Sequence, residues 1–498
     1  MAENQPKKNI QQPAKKKTSR LKVALIILAL LFSLLVLKVI LLITAKPTIS
    51  VNYIAELNHI SKPTDYDPNE NAAPCYRKAS AEYVESPKLF RALYPYPFGP
   101  YWLGDANESE LDVLRRCLEE NSLAFEYLQE ATEKRYVWAE YQAKNNDLMR
   151  LKLSEPENFV KLQSTLRVRA KLNAVDGKFD QALQDLLTCW KMAAHYTNPK
   201  LLLMEQFKGM SLKKDTLRTA FMILDFCNLD AESLLLWQKN WEKQFGGDRY
   251  LPSFQTERLI YYDLIQRYFI DNDKGTGRLA WKKAWSSYRL WGKWYDVKKL
   301  LTCFTGPTRN EVTEIVNFVC DHSEKVIQQT PWQIRPAEQN YMAQLELIRK
   351  KFPLFDSFIP ALSSSHFYYY RLKAQCEALI TVIAVLRYKS DHGNYPADLE
   401  QLLEQKYLTK LPQDPFSDGP LIYNLLDDDF ELYSVGKDFK DDYAARYPGG
   451  SPITGAPKGD EVFWPPLTKG RKNIKPYKFT EGFLLQLKSP GQLKKERK

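Results

Sequence analysis

The stretch Tyr388-Lys-Ser-Asp-His-Gly-Asn-Tyr-Pro396, continued by Leu411-Pro-Gln-Asp-Pro-Phe416, Phe430-Glu-Leu-Tyr-Ser-Val-Gly-Lys-Asp438 and Gly459-Asp-Glu-Val-Phe-Trp-Pro465, decides the fold of the C-terminal region. Helical spacing over residues 364–390 leads into it. Residues 399–404 then suit a short helix after the turn at Tyr395-Pro396. Leu421-Ile-Tyr-Asn424 and Phe430-Glu-Leu-Tyr-Ser434 alternate in polarity like strands, and Asp427-Asp-Asp429 between them supplies a turn, so a small antiparallel hairpin is expected.

This order of motifs, over roughly 80 residues, resembles the C-terminal globular region of the major pseudopilin of type II secretion systems. The resemblance implies a bacterial, extracytoplasmic, structural α/β module. Tyr395-Pro396 would anchor the loop after the long helix, and Asp414 would accept backbone hydrogen bonds in the Asp414-Pro415-Phe416 turn. Ser434-Val435-Gly436 would bend the strand, and Trp464 would cover the sheet. It also implies a calcium site in the loop after the last strands, where Asp438, Asp441, Asp442 and Asp460 could bring hard oxygens together. The family's Gly-rich turn is replaced here by Phe439-Lys440, and residues 443–458 separate the acidic groups. The alternative is a solvated acidic turn whose carboxylates cap backbone N–H groups. The pseudopilin processing signal, Gly followed by Phe-Thr-Leu-Ile-Glu, is absent, so a processed pilin subunit is not expected.

Working outward, the net charge of +11 lies in two tails. Residues 1–22 carry +6 and residues 469–498 carry +8, leaving the body near neutral at −3. That argues against a nucleic-acid-binding face on the folded part. Residues 23–45 form an apolar run broken by Ser33, Lys38 and Thr44. As a helix the run spans roughly 35 Å, the length of a membrane crossing. With Lys7, Lys8, Lys15, Lys16, Lys17, Arg20 and Lys22 before it, the positive-inside rule places the N-terminus in the cytoplasm. The expectation is a single-pass anchor in the cytoplasmic membrane, with residues 46–498 periplasmic.

The body reads as mainly α. Residues 46–108 form a Pro/Tyr-rich connecting segment, residues 109–363 an irregular helical domain, residues 364–466 the small α/β module, and residues 467–498 a basic tail. Asp176-Gly-Lys-Phe-Asp-Gln-Ala-Leu-Gln-Asp-Leu186 resembles the turn and second-helix start of a tetratricopeptide repeat. A single copy fits one helical hairpin, since stable solenoids need about three repeats. Helices are also expected near 50–60, 72–84, 200–226, 231–244, 253–272, 276–301, 309–329 and 336–351.

Few other residues suggest chemistry. Trp281, Trp285, Tyr288, Trp291 and Tyr295 share one helix face, ringed by lysines and arginines. They fit a membrane-interface or glycan-binding surface, or a buried face of the helical domain. Ser211-Leu-Lys-Lys214 matches the Ser-x-x-Lys pattern of penicillin-binding enzymes without its companion motifs, so it is read as coincidence. The seven cysteines include no Cys-x-x-Cys pair. In a periplasm one or two disulfides are compatible with them, and Cys303 and Cys320 are nearest in sequence. No catalytic residue and no cofactor apart from calcium is assigned.

The function expected from the sequence is a non-enzymatic envelope scaffold that binds a protein partner. Two alternatives stand beside it. One is a type II secretion or pilus accessory protein, and the other a membrane-anchored glycan binder or enzyme using the Trp281–Tyr295 face.

Overall fold

The computed structural model describes residues 17–86, 108–153, 157–247, 251–272, 274–280, 306–351, 363–446 and 459–466. In chain order the helices are α1 Lys17–Thr44, α2 Tyr53–Ser61, α3 Ala73–Ala81, α4 Glu108–Glu119, α5 Ser122–Thr132, α6 Phe159–Val175 and α7 Phe179–His195. They continue as α8 Leu203–Phe226, α9 Ala231–Gly247, α10 Gln255–Tyr268, α11 Arg309–Val326, α12 Pro331–Lys351, α13 Ser363–His392 and α14 Glu400–Glu404. The strands are β1 Gln142–Ala143, β2 Leu151–Lys152, β3 Ile422–Leu425, β4 Phe430–Ser434 and β5 Glu461–Trp464. β1 and β2 pair antiparallel. β3, β4 and β5 form an antiparallel sheet in that order, with a register shift between Leu432 and Tyr433.

One expectation of the fold is corrected. The apolar run at residues 23–45 does form most of helix α1, but among the described residues no helix is long and apolar enough to cross a membrane. The helix begins at Lys17, ahead of the run, and its sequence takes in Lys17, Arg20, Lys22 and Lys38. Within the run itself stands Lys38, and a basic residue at membrane depth costs a few kcal/mol, which opposes the gain from the leucines.

The chain divides into two compact units. One comprises Met1–Val51, Tyr262–Ile315 and Glu346–Phe358, and the other Asn52–Tyr261, Val316–Leu345 and Ile359–Lys498. In the first unit, the Gln266 amide replaces a strand partner for the backbone after α1. Its Oε1 accepts from the amides of Ser50 (3.2 Å) and Val51 (3.1 Å), and its Nε2 donates to the Val51 carbonyl at 2.9 Å.

In the second unit, α6 and α7 form the expected hairpin. Gly177 has φ +71°, the left-handed conformation that glycine adopts at no steric cost. Lys178 N donates to Asn173 O at 2.7 Å and Gly177 N to Ala174 O at 3.1 Å, which closes α6 as a Schellman motif. Arg169 on α6 then grips buried Asp185 on α7, donating from Nε to both carboxylate oxygens at 3.1 Å, while Asn173 Nδ2 adds a bond of 3.0 Å. Charge-assisted bonds of this kind fix geometry where a neutral pair would leave it looser.

One apolar core runs from this hairpin into the C-terminal region. Trp190 and Leu186 of α7, Leu217 and Ile223 of α8, Trp237 and Trp241 of α9, and Leu379, Val382 and Ile383 of α13 are buried together with Phe430, Leu432 and Trp464 of the sheet. Phe430 and Trp464 stack at 5.2 Å, so β4 and β5 reach the same core as the helices. A second cluster packs α3, α4 and α5 against the other side of the hairpin, through residues such as Tyr76, Leu114, Phe125 and Phe159.

Candidate ligand-binding cleft

Close helix packing is what forms the site. At Gly209 of α8, a Cβ would lie only 2.8 Å from Ala193 O, the Tyr196 carbonyl carbon and Thr197 Cγ2. Only glycine lets α8 pass this close to the end of α7. That approach sets Met210 and Lys213, on the next turn of α8, beside Trp190 and Thr197 of the α7 end. α9 adds Phe245, and α13 adds a helical stripe of Tyr369, Leu372, Lys373, Cys376 and Ile380. These walls line a half-open cleft of about 690 Å³, within the size range of small-ligand pockets.

The floor is aromatic and rigid. Trp190 meets Trp241 edge-on at 5.7 Å and Phe245 at 5.0 Å, and Trp241 is fully buried behind them. Lys213 is 2% exposed, with its ammonium 3.0 Å from Thr197 Oγ1 and 4.9 Å from the Trp190 ring centroid. A desolvated ammonium over a tryptophan face gains up to about 2 kcal/mol, part of what burial takes from it.

At the mouth, Lys410 pairs with Glu377 at 2.8 Å. Glu242 Oε1 accepts from Gln238 Nε2 at 2.8 Å. Lys373 makes no ion pair among the described residues, and its ammonium lies 5.9 Å from the Tyr370 ring.

The acidic loop carries Asp438, Asp441, Asp442 and Asp460. Asp460 is buried, and its carboxylate accepts from the backbone of Asp442 (3.2 and 3.1 Å) and Ala444 (2.8 Å). Asp441 Oδ1 accepts from Tyr433 OH at 3.2 Å and Tyr443 N at 2.8 Å, and Asp438 Oδ1 accepts from Lys440 N at 3.3 Å. These carboxylates brace a turn in which Phe439, Tyr443 and Ala444 have positive φ. Among the described residues no three His, Cys, Asp or Glu side chains are grouped to hold a metal ion. Burial, with the charges of Asp441 and Asp442 adding to it, pushes the Asp460 carboxyl up to about 6.

Trp281, Trp285, Tyr288, Trp291 and Tyr295 lie outside the described residues, as does Cys303. The described cysteines form no disulfide with one another.

Buried polar groups away from the cleft brace the fold. Asp414 accepts from Phe416 N, Ser434 Oγ and Val435 N at 2.9, 2.8 and 3.0 Å, tying its turn to the end of β4. Burial nonetheless raises its pKa, because those three donors do not fully replace water. His195 is held between Tyr76 OH (2.8 Å) and the Lys134 carbonyl (3.0 Å), and burial pushes its pKa down to about 4.

The cleft was missed in the sequence because its residues sit on four separate helices, each at ordinary core spacing. The available signal was Lys213, a charge on the buried face of α8 that also carries Gln206, Met210 and Leu217. Ser211 and Lys214, which drew attention through the Ser-x-x-Lys pattern, do not line the cleft. No known protein family matches this chain, and no curated protein or solved structure is significantly similar to it.

Proposed function

We propose that this chain is a non-enzymatic binding protein, and that the cleft between α7, α8, α9 and α13 is where it holds its ligand. One observation carries the reading: a cleft of about 690 Å³ with a rigid aromatic floor opens inside the second unit, where close packing otherwise fills the core. A well-packed helical unit gains stability by closing such a space, so a space kept open beside fixed tryptophans favours a binding role. The order of motifs from Tyr388 to Pro466 supports a setting in a bacterial envelope, where a scaffold or accessory protein would present this cleft.

The test is isothermal titration of the full chain with N-phenyl-1-naphthylamine, a neutral aromatic probe. The wild-type chain binds one equivalent in a saturable step. Ile380→Trp, which fills the cleft from α13, loses that step while keeping its melting temperature within a few degrees. Equal stoichiometry in both chains, or no saturable step in the wild type, contradicts the reading.

A further inference from the structure

The charges around the cleft narrow the class of its ligand. This step rests on the binding role proposed above. The described wall carries Lys213, Lys373 and Lys410 against Glu242 and Glu377. Glu377 is matched by Lys410 at 2.8 Å. Glu242 is fixed by Gln238, whose Nε2 also donates to the Tyr407 carbonyl at 2.8 Å. Lys373 differs from the other mouth charges. It stands on the α13 stripe with Leu372, Cys376 and Ile380, and it makes no ion pair or hydrogen bond among the described residues. The apolar and aromatic part of the wall is Trp190, Met210, Phe245, Leu251 and Ile380, and the buried polar groups beside it are Lys213, held by Thr197 Oγ1 at 3.0 Å, and Gln206, bonded to the Leu201 and Ser253 carbonyls.

We infer that the cleft takes an amphipathic anion, with an aromatic or alkyl body lying against Trp190, Phe245 and Ile380 and an acidic group held at the mouth by the Lys373 ammonium. The body gains by leaving water for the apolar walls. The acidic group stays at the mouth, where it remains partly hydrated and avoids the desolvation that a carboxylate or sulfonate would suffer on the tryptophan floor, where the Lys213 ammonium is already engaged by Thr197 Oγ1 and the Trp190 face. A cation of the same shape is repelled by the Lys373 ammonium on the α13 stripe, and of the two carboxylates Glu377 is taken by Lys410 while Glu242 is held by the Gln238 amide on α9.

A matched pair of probes tests this on the full chain. N-phenyl-1-naphthylamine and 8-anilinonaphthalene-1-sulfonate share one ring system and differ by a sulfonate. The structure predicts that the sulfonate binds the Ile380→Trp-sensitive site about two- to fivefold tighter at low salt, the range of an exposed charge pair. The advantage shrinks as salt is raised. Lys373→Met abolishes the difference and leaves the neutral probe unchanged, and Lys373→Arg restores most of it. Lys373 is exposed, so these variants keep the fold. If the two probes bind that site equally, or if Lys373→Met weakens both alike, the anion inference is overturned and the binding role stands. If neither binds it, the binding role itself fails.

Discussion

Arg371 of α13 donates from Nε to Glu461 Oε2 of β5 across 2.6 Å, joining residues ninety positions apart in the chain. Gln375, one turn further along α13, donates to the other oxygen of the same carboxylate at 2.8 Å. The last strand is therefore fixed to the long helix by a carboxylate with both oxygens engaged, at the edge of the core that also backs the cleft. The two charged side chains are 17% and 9% exposed, so the pair is shielded from water. Removing one partner strands the other's charge in a poorly solvated place.

Arg371→Ala and Glu461→Ala should each destabilise the chain by about 2–4 kcal/mol in urea unfolding. Replacing both should cost clearly less than the two losses added together, because the double variant leaves no unpaired charge. Strict additivity would mean that the two groups do not act as a pair.

Gly209→Ala should destabilise by about 1–3 kcal/mol, since its methyl would meet backbone atoms of α7 at 2.8 Å and the helices must part. Gly177→Ala has open space around it and only the positive φ to oppose it, so about 1 kcal/mol is expected. Only Gly209→Ala should also weaken probe binding, because Gly209 alone sets the spacing of the cleft. Thermal unfolding combined with titration of both variants checks this order.

Stability should fall in mild acid. The folded-state pKa of His195 lies near 4, below its ordinary 6.5, and burial also lowers His366, whose Nε2 lies 2.6 Å from the Gln329 carbonyl. Above pH 6.5 these residues are neutral in both states and their contribution is complete. As pH drops from 6.5 toward 4, the unfolded chain takes up the protons first and stability is lost, up to about 3 kcal/mol from His195. His195→Gln should flatten that part of the stability–pH curve, measured by urea midpoints between pH 7 and 4.

Asp460 should act with the opposite sign. Its folded pKa is raised from 3.8 to about 6, so its contribution is complete below pH 3.8 and is lost as pH rises through 6. Asp460→Asn, which cannot ionise, should therefore melt higher than wild type at pH 7.5 and alike at pH 3.5. A lower melting temperature at pH 7.5 would mean that the ionised carboxylate is what the Asp442 and Ala444 amides require.

Much of the helical frame is legible where sequence chemistry is local. Thr308 and Glu311 exchange side-chain and backbone bonds of 2.7 and 3.3 Å, a capping box that starts α11 at Arg309 as its spacing suggests. Thr330 and Gln333 do the same at 2.9 and 3.2 Å, so α12 begins at Pro331. The start expected at residue 336 lies one turn inside this helix, which carries Pro336 in its interior. A preceding cap and the packing of Ile334 and Tyr341 outweigh one missing amide there. The α6–α7 hairpin was legible from Gly177, and the turn at Asp414 from Asp-Pro-Phe. What was not legible depends on distance in the chain. Arg371 and Glu461 show no mutual signal in sequence, and β1 and β2, two residues each, are too short to show alternation. The apolar run at residues 23–45 suggests a membrane crossing by its length, whereas among the described residues no helix is long and apolar enough for one. The cleft escaped notice because Trp190, Lys213, Phe245 and Lys373 come together only once four helices are packed.

The most direct test of the central claim is amide hydrogen exchange across the full chain, with and without N-phenyl-1-naphthylamine. Binding in the cleft slows exchange in α8, α9 and α13 around Met210, Phe245 and Ile380, and not in α1, whose exposed leucines would attract a non-specifically bound probe. Protection confined to α1, or no change around Ile380 at saturating probe, would contradict it.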